Sequence, residues 1–219
     1  MNYLQELWAA LDFGSLRDIL LRLASVFLCL TIHETCHGLA AYALGDPTAK
    51  RMHRLSLNPL RHIDWMGLLM MVTLGFGWAK PVPVDPRYFR KPKQGMALTA
   101  LAGPVSNFLL ALVLLVGARI MVDHAAYSAL NQGILDFLVS TAVRSIGMGR
   151  FNLAPTPPPD GAQVLFSLPP GPMLDTMPRD KPIGMFVLWG LVLLDVGSGA
   201  LNSAIAWVFR IFCRIVGLS

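Results

Sequence analysis

Charge is what this sequence lacks most. Of its 219 residues 14% are charged, against 54% hydrophobic, and the mean hydropathy is +0.55. A water-soluble domain carries about 25% charged residues, so this balance excludes a chain solvated by water on all sides. Cysteine is also sparse. Cys29, Cys36 and Cys213 show no paired spacing and sit in apolar surroundings, which excludes a disulfide framework and reads them as small apolar fillers. The sequence as read shows no internal repeats, and neither a low-complexity tail nor an appended soluble domain is expected. The first apolar block has no obvious small-residue cleavage site, so it reads as a retained segment rather than a signal peptide.

What the chain has instead is long apolar blocks: residues 19–32 continuing to 45, 96–122, 133–149 and 183–209. Each of the longer ones approaches or exceeds the ~20 residues that span a hydrocarbon core, and none alternates polar and apolar faces as a soluble helix does. The expectation is an all-α polytopic membrane protein with about four to six transmembrane segments. The net charge of +5 does not point to nucleic acid. Its cations cluster between the blocks, at Lys50, Arg51, Arg54 and Arg61 and again at Lys80, Arg87, Arg90, Lys91 and Lys93. That is the positive-inside pattern, which places both clusters on the cytoplasmic side.

Local signals order the chain. The first helix is expected from about Arg17 to Leu44, ending at Gly45-Asp46-Pro47. Residues 46–65 form a polar basic loop. Residues 66–79 are apolar but short and interrupted by Gly75 and Gly77, which suits a re-entrant segment shielded from lipid. Lys80-Pro81-Val82-Pro83-Val84 must be extended, so a re-entrant and extended stretch is expected near 66–84. Further helices are expected over about 96–122 and 133–151, followed by a proline-broken run at 155–159. The block at 183–212 is either one long helix or two shorter ones turning at Gly197-Ser198-Gly199. The whole chain, 1–219, reads as one membrane-embedded domain, with a core over about 17–168 and C-terminal membrane segments over about 183–212.

Within the first apolar block stands His33-Glu34-Thr35-Cys36-His37, an H-E-x-x-H pattern. Positions i and i+4 share one helix face, so both imidazoles can converge on one tetrahedral ion, while Glu34 is offset towards a water on that ion. Zinc lowers the pKa of such a water to about 7, and a carboxylate can then take its proton. Two histidines and a glutamate inside an apolar helix are costly unless paired or metal-bound, which favours the metal reading. His37 lies about nine residues before Asp46, roughly 13 Å below the cytoplasmic surface. A zinc hydrolase needs a third protein ligand, and His53, His62, His124, Asp123, Asp160 and Asp195 are candidates. His53 and His62 fall in the basic loop, where a solvated role is expected. His124 and Asp123 lie towards the opposite face, and Asp195 is not excluded by spacing. Asp160 follows the proline-broken run, which can hold a carboxylate at membrane depth.

These elements together resemble the site-2 protease family of membrane zinc metalloproteases. The resemblance rests on H-E-x-x-H at 33–37, on Asn152-x-x-Pro155-x-x-Pro158-x-Asp160-Gly161 and on Gly103-x-x-x-Asn107. Leu44-Gly45-Asp46-Pro47-Thr48-Ala49, Leu57-Asn58-Pro59-Leu60 and Gly77-Trp78-Ala79-Lys80-Pro81-Val82-Pro83-Val84 resemble its compact prokaryotic branch without PDZ or CBS domains. The resemblance implies His33, His37 and Asp160 as ligands of one zinc ion and Glu34 as general base. It implies Asn152, together with Asn107, as groups that hold the substrate backbone or polarise its carbonyl. A helix-packing contact beside Gly103 is the alternative for Asn107. The implied reaction is peptide hydrolysis in or near a transmembrane segment of another membrane protein, in a prokaryotic inner membrane, with access from the cytoplasm. Lys80–Val84 can then offer an edge to an unwound substrate or serve as a rigid turn. Trp65, His53, Asp85 and Ala162 stand where the branch usually has proline, glycine, asparagine and glycine. Arg144, inside an apolar helix, is expected to snorkel or pair. A zinc-dependent membrane carrier and a catalytically silent helix-binding relative are the rival readings. The carrier would need more ionisable residues along a membrane path, and the silent relative would lack a ligand or the base.

Overall fold

A computed structural model describes residues 16–67, 79–124, 128–153, 160, 164 and 198–218. The described residues form helices α1 (Leu16–Ala43), α2 (Thr48–Arg51), α3 (Pro92–His124), α4 (Ala129–Asn152) and α5 (Ser198–Val216), with 3-10 turns at Pro59–Arg61 and Pro86–Tyr88. No strand occurs among them; Ile63 and Ala79 form an isolated antiparallel bridge. Most of the expected re-entrant segment, residues 68–78, lies outside the described residues, as do 154–159 and 165–197.

Helix α1 ends where its sequence dictates. Gly45 takes φ +105°, the Asp46 N–H reaches the Ala41 carbonyl at 2.9 Å and the Gly45 N–H reaches Tyr42 at 3.1 Å. This is a Schellman motif closed by a residue without Cβ. Asp46, wholly buried, then accepts from the Thr48 N–H (2.9 Å) and hydroxyl (2.5 Å) on one oxygen and from the Asp85 N–H (2.7 Å) on the other. The end of α1 is thereby tied to the far end of the extended stretch. His53 has φ +53°, a conformation that favours glycine, in keeping with the glycine expected at that position. Asp85 caps the turn that follows through the Arg87 N–H, and hydrogen bonds from the Arg87 guanidinium hold its carboxyl below the usual carboxylate range.

Helices α1, α3 and α4 pack mutually, and α5 lies against α3 and α4. The core joins Ala111 and Leu115 of α3 to Ala142 and Ile146 of α4, covered by Ile205, Phe209 and Phe212 of α5. Between α1 and α4 the contact is polar: Ser25 Oγ and Thr141 Oγ1 are 2.7 Å apart and buried. Such hydroxyl pairs join helices where apolar burial gives little selectivity.

Helices α1 and α3 are long and apolar enough to cross a bilayer, yet only 28% and 33% of their most apolar windows are buried. A core helix of a soluble protein would bury most of such a window. Apart from Leu115 in the core, helix α3 buries mainly small residues, among them Gly95, Ala100, Gly103, Ala111 and Ala118, and exposes large ones, among them Val105, Leu109, Val113, Val116 and Ile120. Small residues inward and large ones outward is the pattern of a helix solvated by lipid. The chain is an all-α membrane protein. Helix α5, Ser198–Val216, is amphipathic, with Arg210 and Arg214 exposed.

Candidate metal centre

His33 and His37 lie one turn apart on α1, 4% and 8% exposed, their rings edge to face. Asp160, 127 residues from His33 in sequence, meets them. The Nε2 atoms of His33 and His37 are 3.0 Å apart, and Asp160 Oδ2 is 3.1 Å from each. Among the described residues this is the trio of donors that could hold a metal ion.

The donor chemistry fits zinc. Donors at 2.0–2.1 Å on a tetrahedral ion stand roughly 3.3 Å apart, close to this triangle. The His37 Nδ1–H donates to the Thr99 carbonyl at 2.6 Å, so its Nε2 presents a lone pair to the centre. With a carboxylate oxygen and a second imidazole at the same point, the three atoms offer more lone pairs than protons, and a cation resolves that excess.

Helix α3 runs antiparallel to α1 and supplies the far wall. Thr99, Gly103 and Asn107, each one turn from the next, face His37, both rings and His33 respectively. A Cβ on Gly103 would collide with Nε2 of His37 and Cε1 of His33, so only glycine lets the helices close over this site. The Asn107 amide nitrogen lies 3.2 Å from His33 Nδ1, and Asn107 is wholly buried. Asn152, half-buried at the end of α4, donates from its amide to the Met148 carbonyl one turn back at 3.0 Å.

Glu34, offset from the histidine face as its spacing requires, is half-buried, and its Oε2 accepts the Val82 N–H at 3.0 Å. The extended stretch carrying Val82 is held by Arg54, whose guanidinium donates to the carbonyls of Arg61, Lys80 and Pro81. Burial pushes the Arg54 pKa below its usual value, and the Glu34 carboxylate opposes that shift. The Lys80 N–H completes the clasp on the His62 carbonyl at 2.9 Å. His62 was expected to be solvated in the basic loop; it is wholly buried, its Nε2–H donating to Ser56 at 2.8 Å beside the Thr35 hydroxyl. The loop folds back under α1, so a charged sequence context does not expose this side chain. His53 is exposed, as expected.

The residues alone point to the histidine pair and Glu34, the family resemblance adds Asp160, and neither points to Thr99, Val82 or Arg54. The first two act through main-chain atoms, which leave no residue signature, and Arg54 is one cation among many in its loop.

No family model matches the chain, and no solved structure matches it. It is 35% identical over 179 residues, covering 80% of either chain, to the candidate zinc metalloprotease YwhC of Bacillus subtilis. It is 30% identical over 153 residues to the candidate zinc metalloprotease Rip2 of Mycolicibacterium smegmatis, covering 67% of this chain and 56% of that one. With the histidine pair and its carboxylate in place on a lipid-solvated helix bundle, these likenesses agree with the motif resemblance, and the chain belongs to the compact site-2 protease-like family of zinc metalloproteases.

Proposed function

We propose that the chain is an intramembrane endopeptidase that hydrolyses peptide bonds in or beside transmembrane segments of other membrane proteins, with one zinc ion held by His33, His37 and Asp160. The observation that carries this reading is the convergence of Asp160 with His33 and His37 of α1, a helix of membrane-spanning length. Zinc, when bound there, supplies an acidified water and a Lewis acid for the scissile carbonyl. Glu34 takes the proton of the attacking water and passes it to the leaving amine. The Val82 N–H fixes one oxygen of its carboxylate and so aims the other. In this reading Asn152 holds a substrate carbonyl, as the family resemblance implies, once its amide leaves the Met148 carbonyl. The substrate helix must unwind, because a helical carbonyl is already hydrogen-bonded and shielded; Lys80–Val84 offers it an extended neighbour. The cytoplasmic side is the entry side, from the basic loops that flank the site, and the prokaryotic inner membrane is the location that fits this orientation.

The test is reconstitution in lipid with zinc and single-span substrates. Glu34→Gln should abolish cleavage, a loss of at least about 100-fold expected when a general base is removed, while retaining zinc. Equal cleavage by both proteins would refute the assigned mechanism. Zinc retained at full stoichiometry by Asp160→Ala would remove Asp160 from the ligand set.

A further inference from the structure

The two histidines present different partners behind the metal-facing nitrogen. An imidazole that gives its Nε2 lone pair to a cation carries its proton on Nδ1, and that proton needs an acceptor. For His37 the acceptor is the Thr99 main-chain carbonyl. For His33 the group in that place is the side-chain amide of Asn107, two turns along the same face of α3.

The amide is set up for this task. Asn107 is wholly buried, its amide set against the His33 ring and not on an accessible surface. Ser145 Oγ donates to its main-chain carbonyl at 2.7 Å, and Gly149 of α4 lies close behind its Cβ, which fixes the side chain between three helices. With Nδ2 turned to His33 Nδ1, the imidazole must carry its proton on Nε2, where it bonds Asp160 Oδ2, and Asn107 Oδ1 is buried without a hydrogen-bond partner. A half-turn of the amide brings Oδ1 to His33 and exchanges both assignments: Nδ1–H donates to Oδ1, and Nε2 is released as a lone pair.

We infer that Asn107 is a positioning residue for the metal, its Oδ1 accepting the His33 Nδ1 proton and so fixing the tautomer in which His33 is a ligand. This role differs from the substrate contact that the family resemblance implies for Asn107, and it rests on the zinc reading of the site. It also assigns the amide two orientations, one for the metal-free protein and one for the loaded protein.

Zinc affinity measured by chelator competition on the purified full chain tests this, with the thermal stability of the metal-free protein followed in parallel. Asn107→Leu keeps the shape and removes the acceptor, and Asn107→Ala serves if the leucine variant does not fold. Either should weaken zinc by about 10–100-fold, the usual effect of losing such a partner. Asn107→Asp keeps an acceptor oxygen and should hold zinc within about fivefold of wild type. A substrate or oxyanion role gives the opposite pattern, with zinc affinity unchanged in the leucine or alanine variant while kcat falls, and that result would overturn the inference. Zinc loss in Asn107→Asp equal to that in the apolar variants would overturn it as well. Failure of the wild-type chain to bind zinc would refute the reading of the site itself, a result separable from any difference among the variants.

Discussion

Gly103 carries as much of the site as the ligands do. Its missing Cβ is the space in which the two imidazoles stand, so Gly103→Ala should push the rings apart rather than be absorbed by a flexible neighbour. Overpacking of this kind costs about 1–3 kcal/mol. The expected result is a stability loss of that size in the metal-free protein, with zinc affinity reduced at least about tenfold. Denaturant unfolding and a zinc titration measure the two effects. A variant with wild-type stability and affinity would mean that the helices separate freely here. The histidine pair itself was legible in sequence because its spacing is a helix repeat. Gly103 was legible only as part of a motif, since nothing in a string of residues says what a glycine is making room for.

At the scale of elements, the stretch Lys80–Asp85 works as a strap laid along the end of α1. Val82 is bonded to Glu34, Asp85 to Asp46, and Arg54 grips the carbonyls at the strap's start. Arg54→Gln removes charged donors from the carbonyls of Arg61, Lys80 and Pro81, each such bond being worth about 1.5–3 kcal/mol. We expect faster hydrogen exchange at Val82, unchanged zinc content and a kcat reduced by about tenfold or more, as a misaligned base requires. Exchange at Val82 equal to wild type would show that the strap holds without Arg54. The extended conformation followed directly from Pro81 and Pro83. Its docking did not, because the bonds that dock it end on main-chain atoms. The same holds for His62, which a basic, polar loop sequence placed in water and the fold placed inside.

For the whole molecule, the division between lipid-facing and protein-facing residues is the organising fact. Val113 is 67% exposed near the middle of α3. On a water-facing surface Val113→Arg would change stability by less than about 0.5 kcal/mol. Facing lipid, it should cost about 2.5–3.5 kcal/mol of insertion free energy, measurable by glycosylation mapping of α3 in microsomes. An effect near zero would contradict the bilayer assignment of that face. Composition revealed the solvent, and block lengths revealed α1, α3 and α4 within a few residues. Asp160 was a different matter: 127 residues separate it from His33, and no local rule connects them. Its place was expected from a resemblance, and the tertiary structure supplies the contact.

The Thr99 acceptor has a consequence for how this site can vary over generations. A main-chain carbonyl is encoded by no codon, so drift at position 99 leaves the support of His37 intact as long as the helix persists. The support of His33 rests on a side chain and is exposed to every substitution at 107. Heritable tuning of the centre therefore has one adjustable half and one fixed half, and variants with altered metal preference should be sought around His33 first.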